Sequence, residues 1–184
     1  MPPQEIKEIS WNEALTLASP FNYVLAVTLA PDGKPNIIGL GWWTICSWEP
    51  PMLAISVGRP RYSHQCLEHL GEFVLCFPAD DQAQGAWLCG TTSGRDTDKF
   101  AQASFTALPA KKVKPPIIAD CTVAFECRVT NKVETGDHTV YIGEILAMHA
   151  TPGKEHHIYT IHYRKMVSLG SDGYSNFDLS DLTR

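Results

Sequence analysis

Apolar and polar residues alternate along several short segments of the chain, and this pattern is typical of half-buried β-strands. Residues 121–129 are the clearest example, with Thr122, Glu126 and Arg128 on the polar face. The apolar face carries Cys121, Val123, Phe125, Cys127 and Val129. A Glu-Thr-Gly-Asp turn at 134–137 leads into a second strand at 138–150. These two segments predict a β-hairpin.

Two further apolar runs, within residues 21–48, are separated by Asp32-Gly33 with a proline on either side. Asp-Gly between β-prone runs predicts another hairpin. Pro50 and Pro51 then turn the chain into a strand at 52–58, because proline cannot donate to a central ladder. A further strand at 72–77 ends at Pro78.

Three short segments have the spacing of helices. The first begins with Ser63 as its N-cap and ends at Gly71. The second covers residues 80–90, is capped by Asp80 or Asp81, and ends at Gly90. A last helical turn begins near Asp96, after a turn at Ser93-Gly94.

Many strands, short helices and no alternation of long strands with long helices predict a mostly β fold, an antiparallel barrel with short peripheral helices. A chain of 184 residues has a typical length for one domain, so a single domain over residues 1–184 is expected. Its core is expected at about 15–150. The tail at 151–184 has no strong periodicity of apolar residues, and it is expected to be a covering segment or a dimer contact.

Composition and charge limit the function. The chain is 44% hydrophobic and carries a net charge of −5, so it lacks the basic surface that nucleic acid requires. No apolar run approaches the roughly 20 residues that span a bilayer, and no signal peptide is evident. We therefore expect no membrane or nucleic-acid partner, a cytoplasmic location, and six reduced cysteines in apolar segments. The spacing of His156, His157 and His162 fits no zinc motif, so no metal is expected.

The segment GWWTICSWEPP at 41–51 is the first candidate site. Thr44 and Ser47 lie three residues apart near a strand end, and Gly39 and Gly41 allow a close approach to the backbone. A flat heteroaromatic ligand needs such an apolar wall with polar groups along its edge. The alternative is a buried strand whose tryptophans fill the core.

Charged and small residues form three more candidates. Arg59 and Arg61 precede the start of a helix. The exposed N–H groups of that helix start and the two guanidinium groups could together hold a phosphate. The alternative is that both arginines are simply solvated. Residues 90–100 combine small hydroxyls with Arg95 and Lys99 but lack the order of a P-loop, and an N-capped helix is the simpler interpretation. His138 opens a strand after a tight turn, where it is either solvated or supplies a hydrogen bond or proton to a ligand.

Taken in order, the segments APDGKPNIIGLGWWTICSWEPPMLAISVG, RYSH, GEFVLCFP, CGTTSGRDTDKF and ETGDHTVYIGEI resemble the flavin reductase-like family. These are split-barrel proteins that bind flavin mononucleotide (FMN), and the flavoredoxin-type subgroup is the most similar. The resemblance implies an antiparallel split β-barrel and a homodimer, with one FMN held noncovalently near each subunit interface. The tail matches the family's C-terminal stretch only loosely.

The resemblance also implies roles for individual residues. The stretch beside the isoalloxazine ring and ribityl chain would be Trp43, Thr44, Ile45, Cys46 and Ser47. The phosphate would be held by Arg59, Arg61, Ser63 and His64. The segment closing over the flavin's polar side, in one subunit or from its neighbour, would supply Ser93, Gly94, Asp98 and Lys99. His138 would lie near the flavin or its nicotinamide partner.

The function implied is that of an FMN-dependent oxidoreductase. It would be either an NAD(P)H-dependent flavin reductase or an electron-transfer flavoprotein that passes electrons to a small molecule or a redox protein. A flavin-binding module without turnover and a structural barrel without ligand are the alternatives.

Overall fold

The hairpin predicted at 121–150 forms the centre of the main sheet in a computed structural model, which describes residues 5–161, 165–170 and 173–178. The strands are β1 Phe21–Asn22, β2 Val24–Leu29, β3 Pro35–Leu40, β4 Trp43–Ser47, β5 Met52–Gly58, β6 Glu72–Phe77, β7 Ala107–Leu108, β8 Ile117–Ile118, β9 Val123–Thr135, β10 His138–Ala150, β11 His157–Ile161, β12 Lys165–Gly170 and β13 Gly173–Asp178. The helices are α1 Trp11–Leu17, α2 Tyr62–Leu70, α3 Ala83–Thr91 and α4 Lys99–Gln102.

Seven strands form one antiparallel sheet in the order β3-β2-β6-β9-β10-β5-β4. A second antiparallel sheet has the order β1-β11-β12-β13, and β7 pairs with β8 alone. The predicted hairpins are therefore confirmed, and Gly33 at the first turn has a φ of +84°, which favours glycine. The fold is mostly β, as predicted.

The main sheet is buried on both faces. Val24 and Leu25 are neighbours in β2, and each is fully buried in a different hydrophobic cluster. The cluster around Leu25 also holds Ile158 and Met166, both fully buried. This hydrophobic cluster therefore includes residues beyond position 150.

The tail forms strands of the second sheet. Its β11 pairs with β1, which places residues from both ends of the described chain in one sheet. Residues 162–164, 171–172 and 179–184 of the predicted tail, His162 among them, lie outside the described residues. The predicted dimer contact stays a prediction.

The helix ends differ from the predictions. Arg61, not Ser63, occupies the N-cap of α2, while Gly71 ends that helix in the left-handed region as expected. A 3₁₀ turn at Asp80–Gln82 precedes α3, so neither aspartate caps it, and the helix runs to Thr91 rather than Gly90. The last helix, α4, begins at Lys99 rather than near Asp96, and Asp98 caps it by accepting a 3.1 Å hydrogen bond from the Ala101 N–H.

Two residues depart from the predicted alternation at 121–129. Cys121 lies before β9 begins and packs in the cluster around Leu25, away from Val123 and Phe125. Glu126 is fully buried rather than solvated. Its carboxylate accepts hydrogen bonds from the backbone N–H groups of Lys111, Lys112 and Val113, at 2.9, 2.5 and 3.2 Å. These partners replace the water that a carboxylate would otherwise require.

Among the described residues, no helix is long and apolar enough to cross a membrane.

Candidate functional site

Two adjoining clefts lie between α3, the start of α2 and the strands β3 and β5. The first, called the aromatic cleft, has a volume of about 370 Å³ and is bordered by Tyr23, Trp42, Trp87 and His138. The second, called the basic cleft, has a volume of about 230 Å³ and is bordered by Arg61, Arg95 and Lys99. The two share Ile38, Arg61, Gly90 and Thr91, so together they form one elongated site with an aromatic end and a cationic end.

Arg61 stands at the junction of the two clefts and at the start of α2. As the N-cap it has no side-chain hydrogen bond to the first turn, so nothing in α2 itself shields that end of the helix. The first turn of a helix presents unpaired N–H groups and partial positive charge, which attract anions. A guanidinium group beside such a helix start is well placed to bind a phosphate.

Lys99 lies beneath the basic cleft and is 4% exposed. Its ammonium group donates hydrogen bonds to the carbonyls of Ile37, at 2.6 Å, and Cys89, at 2.7 Å. Ile37 belongs to the edge strand β3, and Cys89 lies in the last turn of α3, so the lysine satisfies acceptors that the sheet and the helix leave open. Burial lowers the pKa of Lys99 to about 8, and the charge of Arg61 adds to this effect.

Asn36 fixes the inner wall of the basic cleft. Its amide donates hydrogen bonds to the hydroxyls of Ser63, at 2.7 Å, and Thr28, at 3.3 Å. A Cβ at Gly94 would collide with the amide oxygen of Asn36, so only glycine lets the 92–95 loop pack here. Arg95 in that loop lies over the Tyr62 ring, with its guanidinium carbon 5.0 Å from the centroid.

His138 lies at the mouth of the aromatic cleft. Its ring is 4.8 Å from the indole of Trp42, centroid to centroid, and its Nδ1 is 2.7 Å from the carboxylate of Asp137. With Nδ1 held by Asp137, Nε2 is the ring nitrogen available to a molecule in the cleft. The hydrogen bond to His138 lowers the pKa of Asp137.

The small size of Gly39 allows close packing around Tyr23. The buried Tyr23 hydroxyl sits where a Cβ of Gly39 or of Gly90 would be, and it donates a 3.4 Å hydrogen bond to the Ala86 carbonyl. The two glycines thus let β3 and α3 close around a tyrosine. Gly39 and Gly41 also border the aromatic cleft, so the expectation that they allow a close approach to the backbone stays a prediction.

The structure brings six predicted site residues to the joined clefts. His138 borders the aromatic cleft, and the basic cleft is bordered by Arg61, Ser63, Ser93, Gly94 and Lys99. Ser63 is buried and accepts a hydrogen bond from Asn36.

The stretch Trp43–Ser47 lies outside both clefts. It forms β4, at the edge of the main sheet, where Thr44, Ile45 and Cys46 are exposed. Trp43 instead packs edge-on against Phe77, with ring centroids 4.9 Å apart. The expectation that all six cysteines lie in buried settings is wrong for Cys46, since an edge strand leaves this side chain uncovered.

Three other predicted residues also lie outside the clefts. Arg59 is exposed and pairs with Glu134 at 3.5 Å. His64 turns toward the sheet, where its Nε2 lies 3.0 Å from the Thr139 hydroxyl. Asp98 is the N-cap of α4.

Sequence reasoning missed several residues that border the clefts. Trp42 was given no ligand role from the sequence, whereas it borders the aromatic cleft. Trp87 and Asn36 carried no signal in the sequence, because α3 and β3 bring them to the site only through tertiary packing. For Trp42 the available signal was its position next to Trp43, because neighbouring residues of an extended segment face opposite sides.

A larger cavity of about 650 Å³ adjoins the clefts at Trp87, Thr91 and Thr92. Asp81 and Asp120 border it, and none of the residues that line it is basic. An anionic ligand therefore fits the smaller basic cleft better than this larger cavity.

Comparisons with known proteins agree with this architecture. A family model described as "Flavin reductase like domain" matches residues 17–170. An uncharacterized protein of Archaeoglobus fulgidus is 41% identical over 133 residues, covering 71% of this chain and 74% of its own. An NADH:riboflavin 5'-phosphate oxidoreductase of Streptomyces pristinaespiralis is 28% identical over 135 residues, covering 73% of each chain.

Solved structures are similar over nearly the whole chain. The crystal structure of flavoredoxin from Methanosarcina acetivorans gives a TM-score of 0.75 at 26% identity, covering 95% of this chain and 92% of that one. Flavoredoxin of Desulfovibrio vulgaris (Miyazaki F) gives 0.71 at 26% identity, with coverages of 87% and 88%.

Proposed function

The chain belongs to the flavin reductase-like family, and we propose that it is an FMN-binding oxidoreductase that takes electrons from NADH or NADPH. The observation that carries this proposal is the joined cleft, which has an aromatic end and a basic end on one side of α3. FMN has the same division, with a flat ring at one end and a phosphate at the other.

The basic cleft fits the phosphate. Arg61 supplies a guanidinium group, the start of α2 supplies N–H groups, and the buried ammonium of Lys99 adds positive charge beneath. Ser93 offers a hydroxyl at the same cleft. We assign Arg61 and the first turn of α2 as the phosphate contacts, and Lys99 as the residue that holds β3 and α3 together below them.

The aromatic cleft fits the ring. Trp42 and Trp87 supply apolar walls, while Gly41 and Gly58 leave backbone exposed at its border. The Asp137 carboxylate holds the imidazole of His138 through Nδ1, so Nε2 can donate to or accept from a molecule beside the ring.

When bound, FMN supplies the redox chemistry, since its ring accepts a hydride from a reduced nicotinamide and passes the electrons to an acceptor. The chain's own part is to orient the ring, to hold the phosphate and to place a proton at Nε2 of His138. The acceptor is proposed to be a small molecule or a redox protein.

Anaerobic reduction tests the proposal. Purified protein is loaded with FMN, freed of excess flavin, and mixed with NADH or with NADPH while the flavin absorbance is followed. The proposal predicts that at least one nicotinamide bleaches the flavin faster than it bleaches free FMN. Protein that binds FMN but gives no acceleration with either nicotinamide would instead be a flavin-binding module.

We also propose that the protein works as a homodimer in the cytoplasm. Helix α1 has no buried residue, and Trp11, Leu17 and Trp48 are 68, 75 and 91% exposed in the single chain. A contact with a second copy would cover these large apolar side chains.

A further inference from the structure

Helix α2 is joined to strand β10 by two side chains that lie four residues apart on the helix. Nε2 of His64 lies 3.0 Å from the hydroxyl of Thr139. One turn further along the helix, the carboxylate of Glu68 accepts a 2.9 Å hydrogen bond from the hydroxyl of Tyr141. Thr139 and Tyr141 are both buried, so each hydroxyl needs such a partner. The helix is therefore held to the strand at two points.

The spacing of the two contacts fixes the register of α2 along β10. Residues four apart on a helix are separated by about 6 Å along its axis, and residues two apart on a strand by about 6.6 Å. His64 and Glu68 therefore meet Thr139 and Tyr141 pairwise. A shift of the helix by one residue would turn both side chains by about 100° about the helix axis and break both contacts.

A neighbouring strand fixes the Glu68 end of this arrangement. The ammonium group of Lys132, on β9, donates a 2.6 Å hydrogen bond to the second carboxylate oxygen of Glu68. Lys132 lies opposite Tyr141 in the pairing of β9 with β10, so two adjacent strands hold one carboxylate. The hydrogen bond from Lys132 lowers the pKa of Glu68, which keeps the carboxylate charged at neutral pH.

The same contacts connect the two ends of the joined clefts. Arg61, at the basic end, is the N-cap of α2 and lies three residues before His64. His138, at the aromatic end, comes directly before Thr139 in β10. Because successive residues of a strand face opposite sides, Thr139 can meet the helix while His138 borders the cleft. The register of α2 on β10 therefore sets the position of Arg61 relative to His138.

We propose that His64 and Glu68 are positioning residues of the FMN site, which hold α2 in the register on β10 that FMN requires between its phosphate and its ring. The inference rests on the proposed function and extends it, since neither residue borders the joined clefts. His64 acts on the phosphate through the position of Arg61 and the first turn of α2, and not by contact with the phosphate itself.

A flavin with a phosphate depends on this register, whereas a flavin without one does not. FMN has to satisfy the aromatic cleft and the start of α2 at the same time, so a displaced helix weakens its binding. Riboflavin has the same ring and no phosphate, so it depends on the aromatic cleft alone. The ratio of FMN affinity to riboflavin affinity therefore reports the register of α2, while a general loss of stability lowers both affinities alike.

The experiment measures the affinity of the whole chain for FMN and for riboflavin by fluorescence titration. Thr139→Val removes the hydroxyl that meets His64 but keeps a β-branched side chain, which suits a strand. We expect FMN affinity to fall about threefold or more and riboflavin affinity to stay unchanged. Thr139→Ser retains the hydroxyl and should keep the wild-type ratio. Gln65→Ala is the matched control, because Gln65 is exposed on the same helix.

Further variants test the helix side and the second contact. His64→Leu should lower the ratio as Thr139→Val does, and His64→Gln, whose amide can reach the place of Nε2, should restore most of it. The double variant with His64→Leu and Thr139→Val should be no weaker than the weaker single variant, because both act on one hydrogen bond. Tyr141→Phe removes the hydroxyl that Glu68 accepts from and should also lower the ratio.

The rate of flavin reduction gives a second readout. At saturating NADH or NADPH, Thr139→Val should slow reduction of bound FMN about fivefold or more, because small displacements of reacting groups lower the rate steeply. Reduction of bound riboflavin should change by less than about twofold.

The outcomes separate this inference from the proposed function. If Thr139→Val and His64→Leu leave the FMN-to-riboflavin ratio unchanged, or lower both affinities equally, the inference is wrong. Wild-type protein that binds FMN but is reduced by neither nicotinamide refutes the oxidoreductase alone, and the affinity ratio still tests the register of α2. Wild-type protein that binds no FMN refutes both.

Discussion

The imidazole of His138 lies against the indole of Trp42, with ring centroids 4.8 Å apart and planes tilted by 40°. The contact places a titratable ring beside an aromatic wall at the mouth of the cleft. Asp137 holds Nδ1 of the same ring at 2.7 Å. The pair thus combines an apolar surface with an oriented hydrogen-bonding group.

Replacing His138 by glutamine is expected to slow flavin reduction by NADH or NADPH by about tenfold or more. FMN affinity should change by less than about threefold, because the ring's apolar contacts with Trp42 and Trp87 remain. Stopped-flow absorbance under anaerobic conditions measures the rate, and fluorescence titration measures the affinity. An unchanged rate of flavin reduction would show that His138 has no catalytic role.

Replacing Arg61 by alanine should weaken FMN binding by about tenfold or more, since a hydrogen bond to a charged group contributes about 1.5–3 kcal/mol. Riboflavin, which lacks the phosphate, should bind both proteins alike. Arg59→Ala is the matched control, because Arg59 pairs with Glu134 outside the clefts and its loss should leave FMN affinity unchanged. If the Arg59 variant loses affinity and the Arg61 variant does not, the two arginines have been assigned the wrong way round.

FMN affinity is expected to fall as the pH rises above about 8. Burial lowers the pKa of Lys99 to about 8 in the free protein, and a nearby phosphate favours the charged ammonium, so binding takes up a proton above that pH. One coupled proton weakens binding by at most about tenfold per pH unit. The second ionisation of the phosphate, near about 6, lies below this range.

Calorimetric titrations between pH 7 and 10 check this dependence, with riboflavin as a control for the ring. Lys99→Met should flatten the FMN profile. If riboflavin affinity falls with pH as steeply as FMN affinity does, the interaction of the phosphate with Lys99 is not the cause of the pH dependence.

Replacing Glu126 by glutamine should lower the free energy of unfolding by about 2 kcal/mol or more, because a buried carboxylate that accepts several hydrogen bonds is lost. Burial raises the pKa of Glu126, but the N–H groups of Lys111 and Lys112 and the His149 ring bring it below the usual value. Its stabilising effect is therefore present above the carboxyl's unfolded pKa and disappears as the pH falls through the folded pKa.

Urea unfolding at pH 7 measures this effect. Glu134→Gln is the control, since that side chain is 76% exposed and should change stability by less than about 0.5 kcal/mol. Equal effects of the two substitutions would contradict a structural role for Glu126.

The mass in solution should be twice the chain mass of 20.4 kDa. The exposed Trp11, Leu17 and Trp48 provide the apolar surface that a second copy can cover. Light scattering coupled to gel filtration measures the mass, and a monomer at micromolar concentration would refute the dimer.

The strands could be predicted from the sequence because their signals are local. Asp32-Gly33 and the 134–137 turn each mark a hairpin, and both hairpins are present in the structure. Helix ends were less predictable, because neighbouring residues compete to be the cap. Arg61 rather than Ser63 is the N-cap of α2, and the hydroxyl of Ser63 instead accepts a hydrogen bond from Asn36.

The basic part of the site could be predicted because Arg61, Ser63, Ser93 and Lys99 lie in two short motifs that fold against each other. The aromatic part could not, because the sequence does not show that Trp42, just before β4, borders the cleft while Trp43, the first residue of β4, packs against Phe77. Glu126 and Cys121 were also unpredictable from alternation. The hydrogen-bond donors to Glu126 come from the 111–113 loop, and Cys121 packs in the cluster around Leu25.

The structure of the protein with FMN bound tests the central claim most directly. The account predicts the phosphate in the basic cleft, within hydrogen-bond distance of Arg61 and the first turn of α2, and the ring in the aromatic cleft beside Trp42 and His138. A flavin whose phosphate contacts neither Arg61 nor α2, or no flavin bound at saturating FMN, would contradict it.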